Sequence, residues 1–170
     1  MARHTGPVLL DTNTILDAHR IGAWAALQNG YQLETVEDCV TETQTGFQHR
    51  KPEEQIDPVQ LRKDFNAVHE VDDSHRAVVC IHADGIALDR GELSLWAHAL
   101  ARKDAWVLCG PDKASLRFGV RMKCRDRMIS LERLLTEAGR SARGLDEKHT
   151  TKWLSRVLGE FVLDEGMKKS

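Results

Sequence analysis

Apolar and polar positions along the chain switch between short unbroken apolar runs and the i, i+3, i+4 spacing of helices. Pro7-Val8-Leu9-Leu10 is a short apolar run that stops at Asp11-Thr12-Asn13-Thr14. It reads as a buried strand entering a polar turn, with a helix through Ile15 and Leu16 after it. Residues 21–29 read as a second helix, closed by Gly30 just past its end. Tyr31 to Val36 is a second candidate strand. Glu37 to His49 is expected as a helix with Val36, Val40, Thr43 and Phe47 on one face. Residues 50–57 are polar and hold a proline, which predicts an exposed loop, and Pro58 starts a helix through Leu61 and Phe65. Val68 to Val71 is a short strand, and Asp73 or Ser74 caps a helix through Val78, Val79 and Ile81.

The clearest helix follows Asp89-Arg90-Gly91-Glu92, where Leu93, Trp96, Ala97 and Leu100 fall at i, i+3, i+4 and i+7. Ala105 to Cys109 reads as a buried strand ended by Gly110-Pro111, and Asp112 begins a helix through Leu116 and Phe118. Met128-Ile129 is a weak last strand, followed by a helix over Leu131 to Ala138. Residues 139–148 have the composition of a linker, and residues 149–164 carry Trp153, Leu154, Val157, Leu158 and Phe161 at helical spacing. That stripe suits either core packing or an interface. The alternation predicts an α/β fold: a central parallel sheet flanked by helices, with a C-terminal helical extension. The division expected is a domain over residues 1–140 and a linker with helical extension over 141–170.

Composition narrows the class. With 41% hydrophobic and 29% charged residues, the chain is globular rather than disordered. A net charge of -2 makes any nucleic-acid binding depend on a local patch. The four cysteines, Cys39, Cys80, Cys109 and Cys124, form no CxxC pair and sit in apolar stretches. They are expected to be buried, reduced thiols, as in a reducing compartment. No signal-peptide pattern and no membrane-spanning run is present, so a cytoplasmic protein without membrane association is expected. The eight histidines form no HxxxH pair and read as surface or locally satisfied residues.

Candidate chemistry rests on acids. Asp11 ends the first strand, Asp112 follows the Trp106–Cys109 strand, and Glu92 lies in the first turn of the best helix. Glu42, in the helix after the second strand, is a fourth candidate, with Glu37 or Asp38 as alternatives to it. In a parallel sheet Asp11 and Asp112 share one edge, where ligands gather. Two unit charges 4 Å apart repel by about 4 kcal/mol at an effective dielectric near 20. A hard divalent cation is what would hold such a set together and admit a phosphate. Each acid also has a bland role. Asp112 can be only an N-cap, Glu92 only a first-turn acid, and Glu42 only a solvated one. Asp89 reads as the N-cap of the Glu92 helix, with Glu92 completing a capping box.

Four segments, in order, resemble the PIN-domain ribonucleases. They are Val8-Leu-Leu-Asp11-Thr12-Asn13, Thr35 through Glu42, Leu88-Asp-Arg-Gly-Glu92 through Ala97, and Leu108-Cys-Gly-Pro-Asp112 through Arg117. The resemblance covers residues 8–129, and each motif alone is short. It implies hydrolysis of RNA phosphodiester bonds with Mg²⁺ or Mn²⁺ held by Asp11, Glu42, Glu92 and Asp112. Further implications are RNA as substrate, a protein antitoxin if the nuclease is a toxin, and a homodimer. Gly-Pro before Asp112 departs from the family pattern. Thr12 and Asn13 are candidates to orient a carboxylate, Asn13 equally a plain turn residue. Lys113, Arg117 and Arg121 open a basic run, continued by Lys123, Arg125 and Arg127, that would contact an RNA backbone or form only a solvated face. The alternative is a catalytically weak PIN-like module that binds RNA or protein. A haloacid-dehalogenase-like phosphatase would want a second acid where Asn13 stands.

Overall fold

The computed structural model of the chain describes residues 2–168. β1 (Pro7–Leu10) leads into α1 (Thr12–Arg20) and α2 (Trp24–Gly30), and β2 (Gln32–Val36) into α3 (Glu37–Gln44). After two short 3-10 turns, α4 (Pro58–Asp64) reaches β3 (Ala67–His69), followed by α5 (Asp73–Ala83) and α6 (Arg90–Ala101). β4 (Val107–Cys109) then precedes α7 (Lys113–Arg121), α8 (Leu131–Glu137) and α9 (Thr151–Met167). The strands form one sheet in the order β3-β2-β1-β4, and every pair is parallel.

A parallel sheet covered on both faces explains why the strand sequences are continuously apolar. Val8, Leu9 and Leu10 are all fully buried. Successive side chains point to opposite faces. Val8 and Leu10 join Ile15, Leu27, Leu61 and Leu134 in one core, whereas Leu9 and Leu108 join Val79, Trp96, Phe118 and Leu158 in the other. The chain moves outward from β1 to β2 to β3, then returns to the far side of β1 to lay down β4. The direction of winding therefore reverses between β1 and β4, and a crevice opens beyond their carboxyl ends.

Several boundaries differ from the sequence expectation, each for a local reason. α3 stops at Gln44 because Gly46 takes a left-handed conformation (φ 70°), and Phe47–His49 forms a 3-10 turn. α5 is capped by Asp72, whose side chain accepts from the His75 N–H. Met128-Ile129 forms no strand. It makes one parallel bridge to Leu108, and the Ile129 N–H donates to the Leu108 carbonyl at 3.0 Å. Cys39 and Cys109 are buried, but Cys80 is exposed and Cys124 half-buried. α5 touches the core through Val79 and Ala83, one turn apart, which turns Cys80 and Ile81 outward.

The division at residue 140 does not mark a boundary in the packing. Leu154, Val157 and Leu158 of α9 lie in the same core as Leu116 and Phe118 of α7. The connecting segment is also tied down: Arg20 donates to the Gly144 carbonyl at 2.7 Å, and His149 is buried beside Asp17. Among the described residues, no helix is long and apolar enough to cross a membrane.

Docking of α9 is testable by truncating one side chain. Leu158 is 5% exposed and Leu163 is 67% exposed. Leu158→Ala is expected to lower unfolding free energy by about 2–4 kcal/mol, and Leu163→Ala by well under about 1 kcal/mol. Urea denaturation of both variants reads the difference; equal, small effects would mean α9 does not share the core.

Candidate functional site

Three acids reach the crevice from helix N-termini. Asp11 is the N-cap of α1, and its Oδ1 accepts from the Thr14 N–H at 2.8 Å. Asp112 is the N-cap of α7, and its Oδ1 accepts from the N–H groups of Ala114 at 2.8 Å and Ser115 at 3.2 Å. Glu92 completes a capping box on α6: its Oε2 accepts from the Asp89 N–H at 3.0 Å, and its own N–H donates to Asp89 at 2.8 Å. Orphan N–H groups and the helix dipole favour an anion at each position. The capping roles are thus real, yet each uses a single carboxylate oxygen. Among the described residues, these backbone bonds go to Oδ1 of Asp11, Oδ1 of Asp112 and Oε2 of Glu92, and none engages the other oxygen.

Two glycines let the carboxylates approach the backbone. A Cβ on Gly110 would lie 2.7 Å from Oδ2 of Asp11, inside any permitted contact. A Cβ on Gly91 would collide with the Glu42 carboxylate, which accepts from the Gly91 N–H at 2.9 Å. The Gly-Pro sequence before Asp112 therefore makes room for Asp11. β1 and β4 hold the two segments side by side: Leu10 lies opposite Cys109, and the Asp11 N–H donates to the Cys109 carbonyl at 3.1 Å.

The site is desolvated and self-repelling. Asp11 is 6% exposed. Burial pushes its carboxyl up to about 7; the Thr14 bonds and the Lys148 charge oppose this, and the Asp112 charge adds to it. Burial also raises Glu92, 8% exposed, with the charge of Asp112 adding to the effect. Burial raises Glu42 too, with Asp89 and Asp38 as its charge neighbours.

Asp11, Thr12, Asn13, Glu42, Asp89 and Glu92 are among the residues lining a cleft of about 150 Å³. Glu37 and Asp38, the alternatives to Glu42, are engaged elsewhere. Glu37 pairs with Arg62, and Asp38 with Arg76, Arg90 and the Ser94 hydroxyl. Thr12 donates to Glu42 at 2.9 Å, so it orients a carboxylate. Asn13 is exposed on the cleft wall, and the bonds that orient Asp11 come from Thr14 instead.

The basic run is placed differently from expectation. Arg117 and Arg121 both pair with Glu165 of α9, each at 3.1 Å. Arg121 also donates to the carbonyls of His82, Ala83 and Asp84 at the C-terminal end of α5, and Arg127 lies over the Trp106 ring. These arginines tie helices together, and Lys113 remains exposed. Two cations near the acids escaped the sequence reading. Arg50 lines the cleft and donates to the Thr43 and Glu42 carbonyls, and Lys148 exerts its charge on Asp11. Both lie in segments that read as loop or linker, where nothing local points to a role.

The acids surround the crevice without closing a tight ligand cage. Among the described residues, three His, Cys, Asp or Glu donors within 4.8 Å of one another occur only in Glu34, His69 and His98. Comparison with protein-family models, with curated proteins and with solved structures finds no match.

The raised Asp11 carboxyl fixes the sign of a pH effect. It ionises near 3.8 in the unfolded chain and near 7 in the folded one, so the metal-free protein loses stability as pH rises between those values. The loss is on the order of 4 kcal/mol once both states are ionised. Asp11→Asn keeps an oxygen for the Thr14 N–H and is expected to flatten this profile and raise stability at about pH 8. Urea melts of both proteins from about pH 5 to about pH 8 test this. Parallel profiles would show that Asp11 carries no such penalty.

Proposed function

We propose that the chain is a PIN-like ribonuclease that hydrolyses RNA phosphodiester bonds with Mg²⁺ or Mn²⁺. The observation that carries this reading is the meeting of Asp11, Glu92 and Asp112, from three distant segments, at the crevice where the parallel sheet reverses its winding. An all-oxygen, desolvated and mutually repelling donor set fits a hard divalent cation. Asp11, Glu92 and Asp112 would hold it, with Glu42 on the cleft wall. When bound, such a cation neutralises the cluster, admits a phosphodiester and polarises its phosphoryl oxygen.

The chain's own residues supply positioning. Thr14 and Gly110 fix Asp11, the Asp89 N–H fixes Glu92, and the first turn of α7 fixes Asp112. Thr12 and the Gly91 N–H hold Glu42. Arg50 and Lys148 place positive charge beside the acids, where flanking phosphates of a polyanion would lie.

The test incubates purified protein with single-stranded and structured RNA, with Mg²⁺ or Mn²⁺ and with EDTA, alongside Asp11→Asn and Asp112→Asn. Both variants retain cap acceptors and should fold, as circular dichroism would verify. Cleavage in the parent is expected to need metal and to fall at least about 100-fold in each variant. RNA that is bound but never cut would turn the reading to a binding module. Variants that cut as well as the parent would remove these acids from the reaction.

A further inference from the structure

Away from the carboxylate cleft, Glu34, His69 and His98 meet from three elements. Glu34 is the middle residue of β2, opposite Leu9 and Ala67, and is only 3% exposed. His69 ends β3, and its Nε2 lies 2.6 Å from Glu34 Oε1. His98 comes from the last turn of α6 and stacks on His69, with ring centroids 3.9 Å apart and an interplanar angle of 19°. One donor atom from each residue lies within 4.8 Å of the other two.

Arg102 defines the chemistry of this group. It donates to Glu34 Oε1 at 2.8 Å and Oε2 at 3.2 Å, to Asp104 at 2.6 Å, and to His98 Nε2 at 3.0 Å. A guanidinium can only donate, so His98 Nε2 carries a lone pair and its ring holds its proton on Nδ1. A positive group thus already bridges a buried carboxylate oxygen and an imidazole lone pair. Asp104 offers Arg102 a second carboxylate, so the guanidinium keeps a partner if another cation takes the Glu34 and His98 atoms. A cavity of about 140 Å³ lined by Ala97, His98 and Ala101 adjoins the group and gives access from solvent.

We propose that Glu34, His69 and His98 form a second metal site, for a transition-metal ion of the zinc class, separate from the carboxylate cleft. Two imidazole nitrogens and one carboxylate oxygen suit Zn²⁺, Co²⁺ or Ni²⁺ and disfavour Mg²⁺, which the all-oxygen cleft prefers. Three protein ligands leave a fourth position for water from the adjoining cavity. The ion would tie the edge strand β3 and the end of α6 to β2.

The test uses the full chain carrying Asp11→Asn and Asp112→Asn, which removes the cleft as a competing site. Co²⁺ is titrated at neutral pH and followed by visible absorption, with His69→Gln and His98→Gln added separately. Glu34 is buried in the middle of β2, so the two half-exposed histidines carry the test, and circular dichroism verifies their folding. One equivalent of Co²⁺ is expected to give ligand-field bands that Zn²⁺ removes and excess Mg²⁺ does not. Each histidine substitution should weaken binding at least about 10-fold and abolish the rise in melting temperature with Zn²⁺. Absence of bands at millimolar Co²⁺, or bands unchanged in both histidine variants, would overturn the proposal.

Discussion

The parallel pairing of β1 with β4 is the constraint on which the rest of the site depends. With Leu10 opposite Cys109, the two strands leave the sheet in step, and the next residues, Asp11 and Gly110-Pro111-Asp112, are forced together. α6 brings Glu92 to the same place. The result is a set of carboxylates that repel one another in a dry setting, which the fold must sustain. It does so locally with backbone N–H groups at three helix N-termini, and globally with two apolar cores, one on each face of the sheet.

Capping and ligand binding compete as explanations for an acid at a helix start, but here they are compatible. Capping accounts for one oxygen of Asp11, Asp112 and Glu92. It does not explain why Asp11 is buried against Gly110, or why Asp112 stands close enough for its charge to act on Glu92. An isolated cap gains nothing from a second carboxylate nearby. Crowding of like charges in low dielectric costs stability unless a cation relieves it.

The fold was largely legible in the chain because its signals are local. The apolar run before Asp11, the Asp89–Glu92 capping box and the spacing of Leu93, Trp96, Ala97 and Leu100 each report their own element. Asp11, Glu92 and Asp112 were legible for the same reason, since each sits at a strand end or helix start. Side-chain partnerships were not. Nothing near Arg117 or Arg121 announces that Glu165, more than forty residues later, pairs with both. The closeness of Glu34, His69 and His98 is likewise invisible until β2, β3 and α6 are assembled. The clearances at Gly91 and Gly110 depend on carboxylates from other segments, so the chain near each glycine does not announce them.

That redistribution of arginines changes how a polyanion would meet this surface. The chain carries a net charge of -2, and the crevice itself is acidic, so attraction must come from cations not already paired. Arg117 and Arg121 share the single carboxylate of Glu165 and are held against α9, and Arg127 lies against Trp106. Among the described residues, Lys113, Arg50 and Lys148 are what remain near the acids. Few phosphate contacts mean a weak sequence-independent grip and a shallow dependence on salt. Under the nuclease reading, productive placement of RNA would then rest mainly on the bound cation and the shape of the cleft, and a long basic track would contribute little. The same arginines stabilise α9 against α7, so the segment that looked like an appendage sets how much positive charge the site can present.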